Sequence, residues 1–321
     1  MLLKRRDEIN VEQWDECIEQ SSQSTIFAFS WYLDITTEDW WAVIVEEKGK
    51  YVWVMPFPIK KKLNYYYIQM PVYCPELGYF STVASSEQLF SNALQLIQQE
   101  VRYCISYIGN QHNNFGNSVF YEDVTIDLNK SWEEIYAQFS KDKKTNYKRA
   151  KKYHQNMYSS DDPTALVQLF IKHTIPRIGD VNIKDAETII PQLIATSIEK
   201  GKGELYYTRY EDKEDAAAFF FRHQNKLHYF LNSADEQQRK RNGRMYILSK
   251  IMEDNSDKPL TFHFGAYIKE NSLDDYSMNV RPYFEGFGVK KITFPALEWN
   301  HLPIHINAIH QLKKAIYKIL Y

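Results

Sequence analysis

The sequence predicts a mixed α/β (α+β) chain folded as two similar domains, each a mostly antiparallel sheet flanked by helices. Three observations predict it. The chain has 321 residues, more than one hydrophobic core ordinarily serves. Its composition, 44% apolar and 25% charged, is that of a folded globular protein. The order helix, antiparallel strands, helix, strand, helix or loop, strand recurs weakly in both halves, with no repeat at the level of residues.

Val11 to Gln20 reads as a short helix, with Trp14 and Ile18 four apart. Trp40–Glu46 and Tyr51–Ile59 are strand-like and joined by the turn Glu47-Lys48-Gly49-Lys50, and Tyr65–Met70 is a third strand. Pro71–Ser81 is a loop rich in aromatic and turn residues. Helical spacing over Ser86–Val101 puts Leu89, Leu94 and Ile97 on one side, before strands at Arg102–Ile108 and Ser118–Leu128. The polar loop between these strands, with Gln111-His112-Asn113-Asn114, offers no metal-ligand partner. Ser131-Trp132-Glu133-Glu134 has the pattern of a capping box and opens a helix that turns strongly basic toward Tyr153. The domain boundary is expected there, giving domains 1–153 and 154–321. Further helices are expected over Thr164–His173, Ala186–Lys200 and Ile304–Leu320.

Gly203 to Pro295 is the most specific stretch. Strand-like runs Glu204–Tyr210, Ala216–Arg222 and Lys226–Asn232 lead to the basic turn Arg239-Lys240-Arg241-Asn242-Gly243-Arg244, and a helix over Met245–Met252 follows at once. A strand, a turn with basic side chains and a helix N-terminus suit an anion, because the first helical turn leaves N–H groups unpaired at the positive end of the dipole. Lys240, Arg241, Asn242, Gly243 and Arg244 are therefore candidate phosphate-binding residues. A solvated turn capping a helix would have the same composition.

Bulk properties narrow the function classes. Net charge is −2, so global electrostatics does not call for nucleic acid, although basic residues cluster at Lys60–Lys62, Lys141–Lys152 and the Arg239–Arg244 turn. No apolar run approaches the ~18–20 residues of a membrane span. The charged start, Met1 to Asn10, is not expected to be a secretory signal. Three scattered cysteines, Cys17, Cys74 and Cys104, suit reduced thiols and a cytoplasmic setting rather than a disulfide framework or zinc site. The 24 tyrosines suit strands or a ligand cleft.

The order of elements in the second half resembles the GNAT fold of N-acyltransferases. The family's pyrophosphate turn, Gln/Arg-x-x-Gly-x-Gly/Ala, is matched loosely by Lys240-Arg241-Asn242-Gly243-Arg244-Met245. The end of the following helix, Leu-Tyr-Glu-Lys-x-Gly-Phe in the family, aligns with Tyr283-Phe284-Glu285-Gly286-Phe287-Gly288-Val289. Phe284 stands where the family's thiolate-protonating tyrosine falls, with Tyr283 beside it. Across nearly its full length the chain is similar to tandem GNAT proteins of the FemABX-like group. Trp14 with Phe29–Asp34 and Trp53–Pro58 resembles the start of such chains. Lys148-Arg149-Ala150-Lys151-Lys152 resembles their linking helix, and Leu260–Tyr267 occupies the place of Asp-Phe-x-Gly-Ser, with His263 for Asp.

The resemblance implies two GNAT-like domains with a cleft between them, the second carrying the phosphate turn. Pro71–Gly78 is expected on the acceptor side of that cleft, since proline removes N–H groups a phosphate would need. It also implies transfer of an acyl or aminoacyl group to an amine from acyl-CoA, acyl carrier protein or aminoacyl-tRNA. Acyl-CoA would be a co-substrate, and no tightly bound cofactor or metal is expected. tRNA would meet Lys141–Lys152 through its phosphates. Direct attack by an amine requires a base, oxyanion donors and placement rather than a triad. The candidate catalytic residues are His228, placed with Phe230 and Asn232 on one face by strand alternation, and His263, Glu204 and Tyr283. The alternative is an inactive GNAT-like protein that binds a nucleotide-linked or protein partner.

Overall fold

The computed structural model describes residues 1–62, 64–84, 87–116, 119–154, 156–178, 181–235, 240–269, 275–303 and 306. The expected helix over Ile304–Leu320 and Arg239 of the basic turn lie outside them. The chain divides into two compact units, residues 1–119 with 295–321, and residues 120–294. This division falls at Val119/Phe120, where the boundary was expected after Tyr153, and the described residues Pro295 to Pro303 group with the first unit. The physical reason is that the basic helix packs its inward face on the second unit's core.

In the first unit, β1 (Leu2–Arg5) is followed by α1 (Val11–Gln20) and α2 (Ser30–Thr36), neither β1 nor α2 having been expected as an element. The strands β2 (Asp39–Glu47), β3 (Lys50–Lys62), β4 (Tyr65–Gln69) and the short β5 (Phe80–Ser81) come next. Then come α3 (Glu87–Glu100) and β6 (Tyr103–Ile108). β1, β2, β3 and β4 form an antiparallel run, and β6 lies parallel to β4. Trp14, Trp40, Trp53, Phe57 and Tyr107 fill the core without solvent contact or nearly so, and the Trp14 indole N–H donates to the Ala28 carbonyl at 2.9 Å.

The second unit starts in β7 (Val119–Asp127), then α4 (Trp132–Gln138) and α5 (Lys141–Tyr153). The capping box is present: Ser131 Oγ accepts from Glu134 N at 3.3 Å, and Glu134 accepts from Ser131 N at 2.9 Å. The single expected helix is two, because the chain turns at Phe139-Ser140 and Ser140 caps α5 through Lys143 N. β8 (Tyr158–Ser159) and α6 (Thr164–Leu169) follow, then a π-helical segment, Phe170–Thr174, running into α7 (Ile175–Ile178). α8 (Ile183–Glu199) precedes the meander β9 (Gly203–Tyr210), β10 (Lys213–His223) and β11 (Lys226–Ala234). α9 (Gly243–Asp254), β12 (Thr261–His263), β13 (Ile268–Lys269), α10 (Asp275–Glu285) and β14 (Lys290–Asn300) follow, β14 ending in the first unit beside β6.

The second unit's strands run β7-β12-β11-β10-β9-β8, antiparallel except that β12 is parallel to β11, and β13 also pairs with β7. One face of this sheet, with Ala218, Phe220, Tyr229 and Phe262, packs on α4, α5 and α9 through Ile135, Phe139, Tyr147, Leu248 and Met252. α6, α8 and the π segment belong with β9, β10 and β11. Phe220 is wholly buried and meets the rings of Tyr229 and Phe262 at 5.4 and 6.1 Å. Phe220→Ala is expected to cost about 3–5 kcal/mol, read as a lowered denaturant midpoint at unchanged slope.

Candidate functional site

The basic turn sits where β11 feeds α9. Asn242, the N-cap, adopts the left-handed conformation (φ 59°, ψ 40°), and its side chain makes no capping hydrogen bond among the described residues. The first turn of a helix carries N–H groups that the helix itself leaves unpaired, and Asn242 does not cap them with its side chain. Gly243 is required by close packing. A Cβ there would lie 2.7 Å from Thr208 Oγ1 and 2.8 Å from the Ala216 Cβ, so a side chain would lift the helix off β9 and β10.

The two arginines of the turn go different ways. Arg241 folds back, its Nε 3.6 Å from Asp215 Oδ2 and its guanidinium 3.8 Å from the Tyr210 ring centroid. Asp215 is the extra residue of a bulge in β10, and its buried carboxylate also accepts from Thr208 Oγ1 at 2.5 Å and lies 3.6 Å from His154 Nε2. Burial pushes the His154 imidazole down from its ordinary pKa, against the pull of Asp215. Arg241 thus anchors the turn to the sheet. Lys240 is exposed. Arg244 instead reaches across the helix start and donates from Nη1 to Asn232 Oδ1 at 2.9 Å.

Arg244 forms part of the wall of a cavity of about 730 Å³. The other walls come from Lys143 and Asn146 of α5, from His173, Thr174 and Arg177 of the π segment and α7, from Tyr229, Asn232 and Asp235 at the end of β11, and from Tyr283 and Phe284 of α10. Lys143 is only 6% exposed, and its Nζ lies 3.2 Å from the Tyr283 ring centroid and 4.3 Å from that of Phe287. Burial, and then the nearby Arg244, pull its pKa down to about 7. Burial also raises the Tyr229 phenol, and Arg244 opposes that shift, whereas Tyr283 keeps 38% of its surface exposed.

A bulge decides which residues of β11 reach this cavity. Phe219 pairs with Leu231 and Phe220 with Tyr229, so Phe230 is an extra residue and the side-chain alternation reverses across it. Tyr229, Asn232 and Ala234 consequently share the cavity face. His228 points the other way, which corrects the expectation that it shares a face with Asn232. Its ring stacks on that of His263 at 4.5 Å, and both side chains are buried outside the cavity wall. His263 Nδ1 lies 3.6 Å from Asp123 Oδ2, whose other oxygen accepts from Ala266 N at 2.8 Å. Glu204 is occupied elsewhere on β9, accepting from Arg222 Nε at 2.5 Å and from Tyr206 at 3.2 Å.

Among the expected residues, the structure therefore brings Asn242, Gly243, Arg244 and Tyr283 to one cavity and leaves Lys240, Arg241, His228, His263 and Glu204 out of its wall. Lys143 was not singled out from sequence. The available signal was its place in the inward stripe Lys143, Tyr147, Ala150, where a lysine interrupts an otherwise apolar face. No group of acids, histidines and cysteines able to hold a metal occurs among the described residues, and the three cysteines are free and buried. No helix among the described residues is long and apolar enough to cross a membrane.

No protein-family model matches the sequence, and no curated protein matches it either. Solved structures do share its fold. The crystal structure of FemX is similar over 97% of this chain and 99% of its own, at 13% identity and a TM-score of 0.65. A conserved protein of unknown function from Bacteroides thetaiotaomicron covers 92% of this chain and 99% of its own, at 9% identity and a TM-score of 0.57. The C-terminal domain of a putative lysylphosphatidylglycerol synthetase from Agrobacterium fabrum covers 97% and 96%, at 10% identity and 0.55. The chain thus shares the mixed α/β fold of these structures.

Two outcomes follow for stability. Gly243→Ala is expected to destabilise by about 1–3 kcal/mol through forced overpacking against β9 and β10, read by chemical denaturation. Burial, with His263, Lys226 and His223 adding to it, holds the His228 pKa well below its ordinary 6.5. The unfolded chain then binds a proton that the native state refuses, so this contribution to stability falls as pH drops below 6.5. His228→Gln should flatten that acid limb in a series of denaturation midpoints against pH.

Proposed function

We propose that the second unit carries an N-acyl- or aminoacyl-transfer site. A phosphate-bearing donor (acyl-CoA, acyl carrier protein or aminoacyl-tRNA) would place its phosphate at the first turn of α9 and its acyl group in the cavity. The observation that carries this reading is the start of α9, Asn242 and Gly243, standing beside Arg244 in the wall of a cavity of about 730 Å³. Helix N–H groups and a guanidinium are the donors a phosphate takes. Aromatic walls from Tyr229, Tyr283 and Phe284 give an acyl chain apolar surface and leave two phenols as hydrogen-bond donors. An incoming amine would attack the acyl carbonyl, the oxyanion would be met by such donors, and the ester or thioester bond would break. The fold shared with FemX and the turn and helix motifs support the reaction class as an analogy. The exposed Lys148, Arg149, Lys151 and Lys152 of α5 support a contact with tRNA phosphates. Free, buried thiols support a cytoplasmic setting.

A second reading, a ligand-binding protein without turnover, is favoured by one observation. Phe284 lines the cavity where the family carries its tyrosine, and both candidate histidines lie outside the wall.

Calorimetry with CoA, acyl-CoAs and charged tRNA, and mass spectrometry of molecules retained on purification, test the site. Arg244→Ala should weaken a phosphate-bearing ligand by at least about tenfold, from the ~1.5–3 kcal/mol of a hydrogen bond to a charged group. Arg241→Ala should lower the denaturation midpoint more than the affinity, because its guanidinium is engaged with Asp215 and Tyr210. Absence of any binding would remove the site, and binding without turnover would select the second reading.

A further inference from the structure

Lys143 is the cavity residue whose placement is hardest to explain by packing alone. Its neighbours on the inward face of α5, Tyr147 and Ala150, serve the core, but Lys143 carries an amine to the cavity wall. Its stem is accommodated by Gly286, where a Cβ would lie 3.0 Å from Lys143 Cε and 3.1 Å from its Cγ. Ser140, the cap of α5, ties that approach by donating from its N–H to the Gly286 carbonyl at 2.8 Å. No hydrogen bond or ion pair to Nζ is present among the described residues; the amine rests on the faces of Tyr283 and Phe287. The charged and titratable groups sharing the cavity with it are Arg244 of α9, Tyr283 of α10, Tyr229 and Asp235 at the end of β11, and His173 and Arg177 of the π segment and α7. On its own helix, Asp142 favours its charge.

We propose that Lys143 Nζ is the proton acceptor for the incoming amine, an inference that rests on the transfer reading above. An alkyl amine reaches the site as an ammonium ion and has no lone pair to attack with. It gives one proton to Nζ, leaving a neutral amine and a lysine ammonium held over the two rings. The amine's lone pair forms the C–N bond while the carbonyl π pair moves to oxygen. Collapse breaks the C–S bond of a thioester or the C–O bond of an ester, and the leaving thiolate or alkoxide takes the second proton from the new nitrogen. The proton on Nζ returns to water. A buried lysine opposed by an arginine can be neutral at pH 7, as this step requires, while the ring faces still hold its protonated form.

The test uses the full chain and two acceptor classes. The donors are acetyl-CoA and alanyl-tRNA. The acceptors are a lysine-containing peptide, an ammonium ion at pH 7, and hydroxylamine, already neutral there. Wild-type kcat/KM for the peptide is expected to bend near pH 7, and Lys143→Met and Lys143→Arg are expected to lose that bend and at least about a hundredfold in rate, the lower end of general-base contributions. Transfer to hydroxylamine should fall much less, which a merely misfolded or displaced site would not produce. In parallel, lysine 15N NMR of the resting protein should find the Lys143 amine titrating near 7, where its pKa is expected. Transfer with an unchanged pH profile in Lys143→Met, equal losses for both acceptors, or an amine that titrates like the exposed lysines would each overturn the proposal while leaving the transfer reading intact. No transfer from either donor to either acceptor would sink the transfer reading and this inference with it.

Discussion

The extra residue at Phe230 in β11 is the constraint on which the second unit's site depends. Strand alternation is strict, so one inserted residue moves every later side chain to the opposite face. Before the bulge, Leu227 and Tyr229 lie on the sheet face that packs against α9; after it, Asn232 and Ala234 lie on that same face and line the cavity. Arg244 can then find Asn232 at 2.9 Å, and the end of the strand becomes a cavity wall rather than a continuation of the core. The same inversion turns His228 away, into the stack with His263.

A second bulge does comparable work one strand over. Asp215 is the extra residue of β10, and its buried carboxylate collects Thr208, His154 and Arg241. A buried carboxylate is tolerable only when it is paired and hydrogen-bonded. Arg241 supplies the charge and, through that pairing, locates the residue before the Asn242 cap. Gly243 then lets α9 settle on Thr208 and Ala216 without a side chain between them. A turn that reads as a ligand-binding motif is thus, in its first half, a device for docking a helix. Among the turn's described residues, Arg244 and the helix start line the cavity, and Lys240 and Arg241 do not.

The cavity gathers basic and aromatic side chains. Arg177 and Arg244 share the wall with Lys143, whose amine, buried and opposed by Arg244, has its pKa pulled down to about 7. Aromatic faces from Tyr283 and Phe287 surround that amine instead of a carboxylate. Such an environment keeps the lysine from being locked as an ion-pair partner, and its chemistry differs from that of an ordinary structural salt bridge.

Much of the architecture was legible in the residues themselves. Periodicity placed α1, α3, α8, α9 and the meander, and the Ser131–Glu134 box marked the start of α4 where a reciprocal pair of hydrogen bonds forms. These are local signals, set by interactions within a few positions of chain. The unit boundary at Val119/Phe120 was not legible, because it depends on the core against which Tyr147 and Ala150 pack and on β14 returning to β6. Nor were the bulges: a strand with one extra residue has the same composition as one without. By itself the sequence determined that a helix would start at a basic turn near Gly243. Only tertiary structure decided that Arg241 is consumed by Asp215, that Arg244 and Lys143 meet in one cavity, and that His228 does not, since each of these follows from long-range pairing register rather than from neighbouring residues.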